Sequence, residues 1–353
     1  MTQPPTPGPQ PKPGALVLIA VIVAAVAGLF AYTAGWLSPH RVSPTMLIGA
    51  LAPPTGPVLG YRRNHAKGVC FTGEFDSNGN GAELSRAQVF SAGKYPALGR
   101  FNLGTPEPTA ADGTVRVRGM GLQISTPDGQ VWRAAMIDAP FFAVSTPEAF
   151  YELLKASQSK APDAMKTFSQ AHPEIAAFGG WAKTAPWTAS YAEEPYNSLN
   201  AFIFISNSGA DHAVRWSLRP QAQVTSITPD ELAKLGPDHL EQEIKDRVAK
   251  EPARWSLVVT VANPGDPTSD PTKVWPEGRR TVEVGTLVVQ QIIAERDGPC
   301  RDINFDPTIL PNGIKVSDDP FPAARSAAYA KSFDLRTSEA KDYPRNNTTG
   351  VSP

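Results

Sequence analysis

What the chain lacks narrows its function first. Five histidines are scattered over 353 residues without an H-x-x-x-H or H-E-x-x-H pattern, which argues against a zinc or non-haem iron site on one helix face. No G-x-S-x-G elbow and no glycine-rich phosphate loop occurs, so neither a hydrolase nucleophile nor a nucleotide cradle is signalled. Cysteine is nearly absent. Cys70 and Cys300 are the whole supply, too few for a disulfide framework or a cysteine zinc cluster. They leave open one long-range bridge in an oxidising compartment or two separate buried thiols. Basic residues are not in excess, 33 against 34 acidic, whereas a nucleic-acid surface needs a basic patch. No internal repeat is present.

What is there is a 41% hydrophobic chain, long enough to bury one large core. Residues 1–14 are rich in Pro, Gln and Thr and read as a disordered tail. Residues 15–37 carry no charge at all, and a helix of roughly 20 residues spans a bilayer. Tyr32 and Trp36 suit the interfacial belt. A signal peptide has a shorter apolar core and a clearer cleavage site than AYTAG, the candidate here, so the run reads as an uncleaved transmembrane anchor in preference to a cleaved signal segment. Charged flanks barely orient it, and a single anchor leaves everything after residue 40 on one side, expected to be the periplasmic or outer face. Residues 38–60 contain Pro44, Pro53, Pro54 and Pro57 with Gly49, Gly56 and Gly60, and read as a linker or arm without an element.

Alternation of period two begins at residues 69–75 and stops at Asp76-Ser-Asn-Gly-Asn-Gly. Residues 114–125 and 131–136, joined by Pro127-Asp128-Gly129, predict a hairpin. Further strands are expected at 201–206, 212–218, 255–261 and 281–293. Many short strands joined by turns argue for a closed antiparallel barrel. Helices interrupt it. Thr146-Pro147-Glu148 is a helix start, with Thr as N-cap and Pro at N1. Residues 161–178 predict a second helix, Thr228-Pro229 opens another segment, and 240–249 repeats apolar residues at helical spacing. The polar end after about Lys341 reads as a flexible tail from 342 to 353.

Two stretches at opposite ends carry the chemistry. Arg62-Arg63-Asn64-His65-Ala66-Lys67-Gly68 resembles the distal side of a catalase haem pocket, where R-x-x-H-A-K-G holds the essential histidine. Arg325-Ser-Ala-Ala-Tyr329 resembles the proximal side, where R-x-x-x-Y holds the tyrosine that ligates iron. The resemblance extends over roughly residues 55–340 and makes Arg62, Arg100 and Arg336 the partners of the haem propionates. Arginine suits that task because its planar fork binds carboxylates bidentately. Phe150 is similar to the family's aromatic residue on the distal side, and Phe305-Asp-Pro-Thr-Ile-Leu-Pro-Asn-Gly-Ile to the stretch before the proximal helix. The fold class implied is α+β: a catalase-like eight-stranded antiparallel barrel in residues 61–341 with flanking helices, after one N-terminal transmembrane helix.

The resemblance implies haem b as cofactor, with Tyr329 its metal ligand and His65 the general base and then acid. Phenol ionises near pH 10, and Arg325, four residues earlier on the same helix face, favours the phenolate. Departures point to the short catalase-related peroxidases. The chain is too short for a full catalase arm and C-terminal helices. Asn102 replaces the serine that supports the distal histidine, and Ile137 falls where the family has an asparagine, with Asp138 next to it. A peroxidase acting on hydrogen or organic hydroperoxides is expected, with an unidentified electron donor, contact to a membrane through residues 15–37, no nucleic acid, and a monomeric or homodimeric state. The alternatives are a fatty-acid hydroperoxide isomerase of the same fold, or a non-enzymatic membrane-tethered haem-binding protein. A barrel without haem would be a lipocalin-like ligand binder, in which the paired end motifs have no role.

Overall fold

A computed structural model describes residues 13–33 and 42–346, which fall into two units divided after Ser43. The first holds α1 (Pro13–Thr33), 21 residues. It is long and apolar enough to cross a membrane, and its length and position suit a signal sequence equally. The N-terminal tail to residue 12, the end of the expected anchor with Trp36, and the last residues from 347 lie outside the described residues.

The second unit opens with α2 (Pro44–Leu51), a helix whose Leu47, Ile48 and Ala50 are buried. The expectation that residues 38–60 carry no element is therefore corrected. Pro44 sits at the first helical position, where a missing N–H costs nothing, and packing rather than propensity holds so short a helix. Then follow β1 (Gly68–Ser77), β2 (Gly93–Leu103), β3 (Arg118–Ser125), β4 (Val131–Ile137), α3 (Pro147–Ser157), α4 (Ala164–Ala171) and α5 (Ile175–Thr184). The chain continues through β5 (Trp187–Thr188), β6 (Tyr196–Asn197), β7 (Phe202–Ile205), β8 (Asp211–Pro220), β9 (Ser226–Ile227), α6 (Pro229–Leu232) and α7 (His239–Val248). It ends with β10 (Ala253–Val261), β11 (Thr281–Ala294), β12 (Ile314–Val316) and α8 (Phe321–Ser338).

Strands β10, β11, β1, β2, β3, β4, β6 and β8 pair in that order, and β8 pairs back onto β10. That closes an eight-stranded antiparallel barrel, as expected. β7 and β12 extend from β8 outside the closure. The sequence reading missed β2, because Pro96 and Gly99 punctuate it. Closure by β6 was also unseen, since two residues carry no periodicity. The expected strand at 114–125 starts only at Arg118, after a short turn at Asp112–Thr114. The single helix expected at 161–178 is two, α4 and α5, because His172 precedes Pro173 and leaves helical geometry there.

Alternation along β2 divides its side chains between two faces. Ala97, Phe101 and Leu103 join the barrel core with Trp255, Tyr196, Trp132 and Trp216, while Arg100 and Asn102 face the other way. The register then aligns Gly68 with Asn102, Asn102 with Gly119, Gly119 with Ile137, and Ile137 with Asn197. One row across five strands therefore brings the histidine loop, Asn102 and Ile137 to the same end of the barrel. Cys70 on β1 is disulfide-bonded to Cys300, which settles the alternative the sequence left open. The expected tail is ordered at its start: Tyr343 is buried, its ring centroid 4.1 Å from that of Tyr61.

Candidate functional site

His65 lies in the loop before β1 with φ of 54°, the left-handed region that non-glycine residues enter at a cost of about 1 kcal/mol. The surrounding bonds over-determine it. Ala66 N–H donates to Thr105 at 2.8 Å and Leu103 N–H to Lys67 at 3.1 Å. Lys67 Nζ reaches Asp112 and Asp238, each at 2.7 Å. Gly68 is required by crowding: a Cβ there would lie 2.2 Å from the Phe101 carbonyl and 2.6 Å from Arg100 Cζ.

The ring of His65 is oriented by Asn102, whose Oδ1 lies 2.6 Å from Nδ1. Asn102 Nδ2 donates to the Arg100 carbonyl at 3.3 Å, so its oxygen must face the histidine. Nδ1 then carries the proton and Nε2 keeps its lone pair. Asn102 thus does the work expected of the absent serine. Burial, with the guanidiniums of Arg100, Arg325 and Arg62 in support, pushes His65 down to about 4, against the opposing bond to Asn102. The ring is a neutral base at physiological pH.

α8 carries Arg325, Tyr329 and Arg336 at spacings of four and seven, on one face of the helix, and all three line the same cleft as His65. Arg325 Nη2 donates to Tyr329 Oη at 3.3 Å and to the Ala135 carbonyl on β4 at 2.8 Å. Its Nη1 donates to Asn200 Oδ1 at 2.7 Å, and Asn200 Nδ2 donates to Asp319 at 2.8 Å. Asp319 also accepts from Phe321 N–H at the start of α8, and burial raises its carboxyl. This chain from Asp319 through Asn200 to Arg325 was invisible in the sequence, because Asn200 lies more than a hundred positions from both its partners. A bond from Arg63 N–H to Ser332 Oγ at 3.2 Å pins the histidine segment to the same helix.

At one edge Arg62, Arg100 and Arg336 converge. Arg62 Nη2 donates to the carbonyls of Cys300, Arg301 and Ile303. Arg336 donates to the carbonyls of Arg301 and Ile303. Glu295 accepts from Arg100 at 2.7 and 2.6 Å and from Arg62 at 3.4 Å. Burial and the neighbouring guanidiniums push Arg62 down to about 9, and burial pushes Arg336 to about 10. Three guanidiniums and one carboxylate leave a charge of +2 in this edge.

All seven residues expected at the site line one cleft. Phe150 stands on its wall from α3, whose N-cap Thr146 accepts from Ala149 N–H, with its ring 5.4 Å from that of Phe142. Ile137 is there too, beside Met120, Met136 and Leu199. Leu199 is the second non-glycine residue at positive φ, 63°. Asp138 turns away, accepting from Arg118 N–H and Arg116, and burial followed by Glu194 pushes its carboxyl up to about 7. The walls missed by sequence reasoning include Leu47, Ile48 and Leu51 of α2, concealed by the prolines around them.

A closed antiparallel barrel whose cleft is lined by a histidine–amide pair and an arginine–tyrosine pair is the arrangement expected of a catalase-like protein. A sequence model of the catalase family matches residues 45–349. The chain is 32% identical over 326 residues to a catalase-related peroxidase of Synechococcus elongatus, covering 91% of this chain and 96% of that protein. A catalase-related peroxidase of Mycolicibacterium paratuberculosis is likewise 32% identical, over 84% of this chain and 95% of its own. Catalase isozyme 2 of Hordeum vulgare is 25% identical over 75% of this chain but only 58% of its own length. The chain belongs to the catalase family. It is a short, catalase-related member, an oxidoreductase acting on peroxide.

Proposed function

We propose that the chain is a haem-dependent peroxidase that reduces hydrogen peroxide and organic hydroperoxides, with His65 as acid and base and Tyr329 as iron ligand. The observation that carries this reading is that His65 with Asn102 and Tyr329 with Arg325 stand in one cleft, bordered by a cationic edge. The residues fit a haem. The +2 edge of Arg62, Arg100, Arg336 and Glu295 matches two propionates. The phenol of Tyr329 beside a guanidinium suits a ferric ligand, and the apolar walls suit a flat macrocycle. We take the cofactor to be haem b.

Bound haem supplies the two-electron redox chemistry at iron. His65 Nε2 takes the proton of the incoming hydroperoxide and returns it to the departing oxygen, which leaves as water or alcohol. Asn102 Oδ1 keeps the other proton on Nδ1 throughout, so the exchanged proton comes and goes only at Nε2. An external reductant supplies two electrons per peroxide. Ile137 offers no hydrogen bond to orient a second peroxide, which favours peroxidase turnover over dismutation. The same apolar wall favours hydroperoxides with a carbon chain and keeps isomerisation of a fatty-acid hydroperoxide as the second reading. We further read α1 as the anchor that holds the enzyme at a membrane.

Absorption spectroscopy of the purified full chain with haem supplied tests the proposal, beside Tyr329→Phe and His65→Ala. A high-spin ferric spectrum altered in the tyrosine variant is expected, with peroxide reduction lost in the histidine variant. Rapid hydroperoxide consumption without reductant, giving an isomeric product, would select the second reading. Failure to bind haem removes both.

A further inference from the structure

Glu295 is a misfit in a site that receives carboxylates. It follows β11 directly, its side chain is one-tenth exposed, and it touches two of the three arginines. The way it touches them resolves the conflict. Arg100 binds it along one edge, through Nε and Nη2, and spends its remaining Nη2 hydrogen on the Ala66 carbonyl. Arg62 offers it only Nε, while Nη2 lies among three carbonyls. Among the described residues, no protein acceptor meets Nη1 of Arg62, Nη1 of Arg100 or Nε of Arg336. None of those three atoms is among the fully buried polar atoms that lack a partner. All three arginines line the cleft, so these are the donors left over for an incoming anion.

We infer that Glu295 is a positioning residue for the porphyrin carboxylates: it locks Arg62 and Arg100 with their free edges toward the cleft and sets the cradle's charge to that of a dicarboxylate. The inference rests on the haem reading above. Without Glu295 three buried guanidiniums would face one another with only carbonyls as partners. Like charges so placed repel, and a long side chain released from a bidentate pair regains its rotamer freedom. Glu295 is already among the groups that stabilise the charged form of Arg62. It touches neither His65 nor Tyr329, so its action passes through the arginines alone.

Iron-free porphyrins isolate this role, because Tyr329 has no metal to bind in them. The full apoprotein is titrated with protoporphyrin IX and with its dimethyl ester, following porphyrin fluorescence. Wild type is expected to prefer the dicarboxylate. Glu295→Ala should weaken protoporphyrin IX about tenfold or more, leave the ester unchanged, and be partly rescued in Glu295→Gln, which keeps an acceptor of the same shape. If the alanine variant does not fold, the glutamine variant alone still carries the comparison. Tighter binding of the dicarboxylate in either variant would make Glu295 a competitor of the propionates and overturn the inference. An equal loss for both porphyrins would make it a merely structural residue and also overturn it. A wild type indifferent to the carboxylates refutes instead the haem cradle on which the inference stands, a separate result.

Discussion

Replacing Asn102 by Asp keeps the shape of the partner of His65 and adds one negative charge 2.6 Å from Nδ1. An opposite charge this close raises a histidine pKa by about 1–3 units. Coulomb's law at an effective dielectric of about 20 gives a similar figure, roughly 4 kcal/mol at 4 Å. Starting from about 4, His65 would move to roughly 5–7. The sign follows from which form works: the neutral ring is the base, so activity is lost as pH falls through the pKa. At pH 5 the wild-type ring is about nine-tenths neutral, and the variant about half to one-hundredth neutral. The rate constant kcat/KM for peroxide reduction at pH 5 should therefore drop about two- to hundredfold, while the plateau near pH 8 is kept. Asn102→Ala should move the acid limb the other way, since the lost hydrogen bond favours the protonated ring. A stopped-flow pH series on the three proteins decides it. An acid limb that stays put in Asn102→Asp would refute the assignment of His65 as the titrating base.

The same ring sets an acid stability limit. Its folded pKa of about 4 lies below its ordinary 6.5, so the stability present above pH 6.5 is lost as pH falls toward 4, by about 3 kcal/mol. Asp138 acts in the opposite sense, its raised carboxyl removing stability as pH climbs from about 4 to about 7. Urea titrations of His65→Gln and Asp138→Asn should each flatten their own contribution, and identical pH slopes in all three proteins would contradict both. Tyr329→Phe should fold normally yet give an altered haem absorption spectrum; an unchanged spectrum would remove Tyr329 as ligand. Breaking the Cys70–Cys300 bond, which spans 230 positions, should cost up to about 5 kcal/mol by loop entropy. It should also speed haem loss, because Cys300 and its neighbours supply the carbonyls that hold Arg62 and Arg336. Denaturation with and without reductant, scored together with haem transfer to a scavenger, checks both parts. Leu47→Asp puts an unpaired charge into the buried face of α2 and should release haem at least tenfold faster in the same transfer assay, unless α2 plays no part in closing the cleft.

The chain determined much of this by itself, wherever a property is local. A run without charge, a Thr-Pro helix start and period-two alternation are read from neighbours a few positions apart, and α1, α3, β1, β4 and β11 follow from them. The two end motifs were legible for the same reason: Arg62 and His65 in one turn of chain, and Arg325, Tyr329 and Arg336 on one helix face, are short-range spacings. Only the tertiary structure decided what joins distant positions. The register of five strands sets Asn102 beside His65, and barrel closure through a two-residue strand leaves no pattern to read. Docking, not propensity, makes α2 a helix and a wall of the cleft. Glu295 between two arginines, Asn200 between Asp319 and Arg325, and the bridge between Cys70 and Cys300 are likewise meetings across the fold. The energies of those contacts arise from burial and proximity, and neither exists until the barrel has closed.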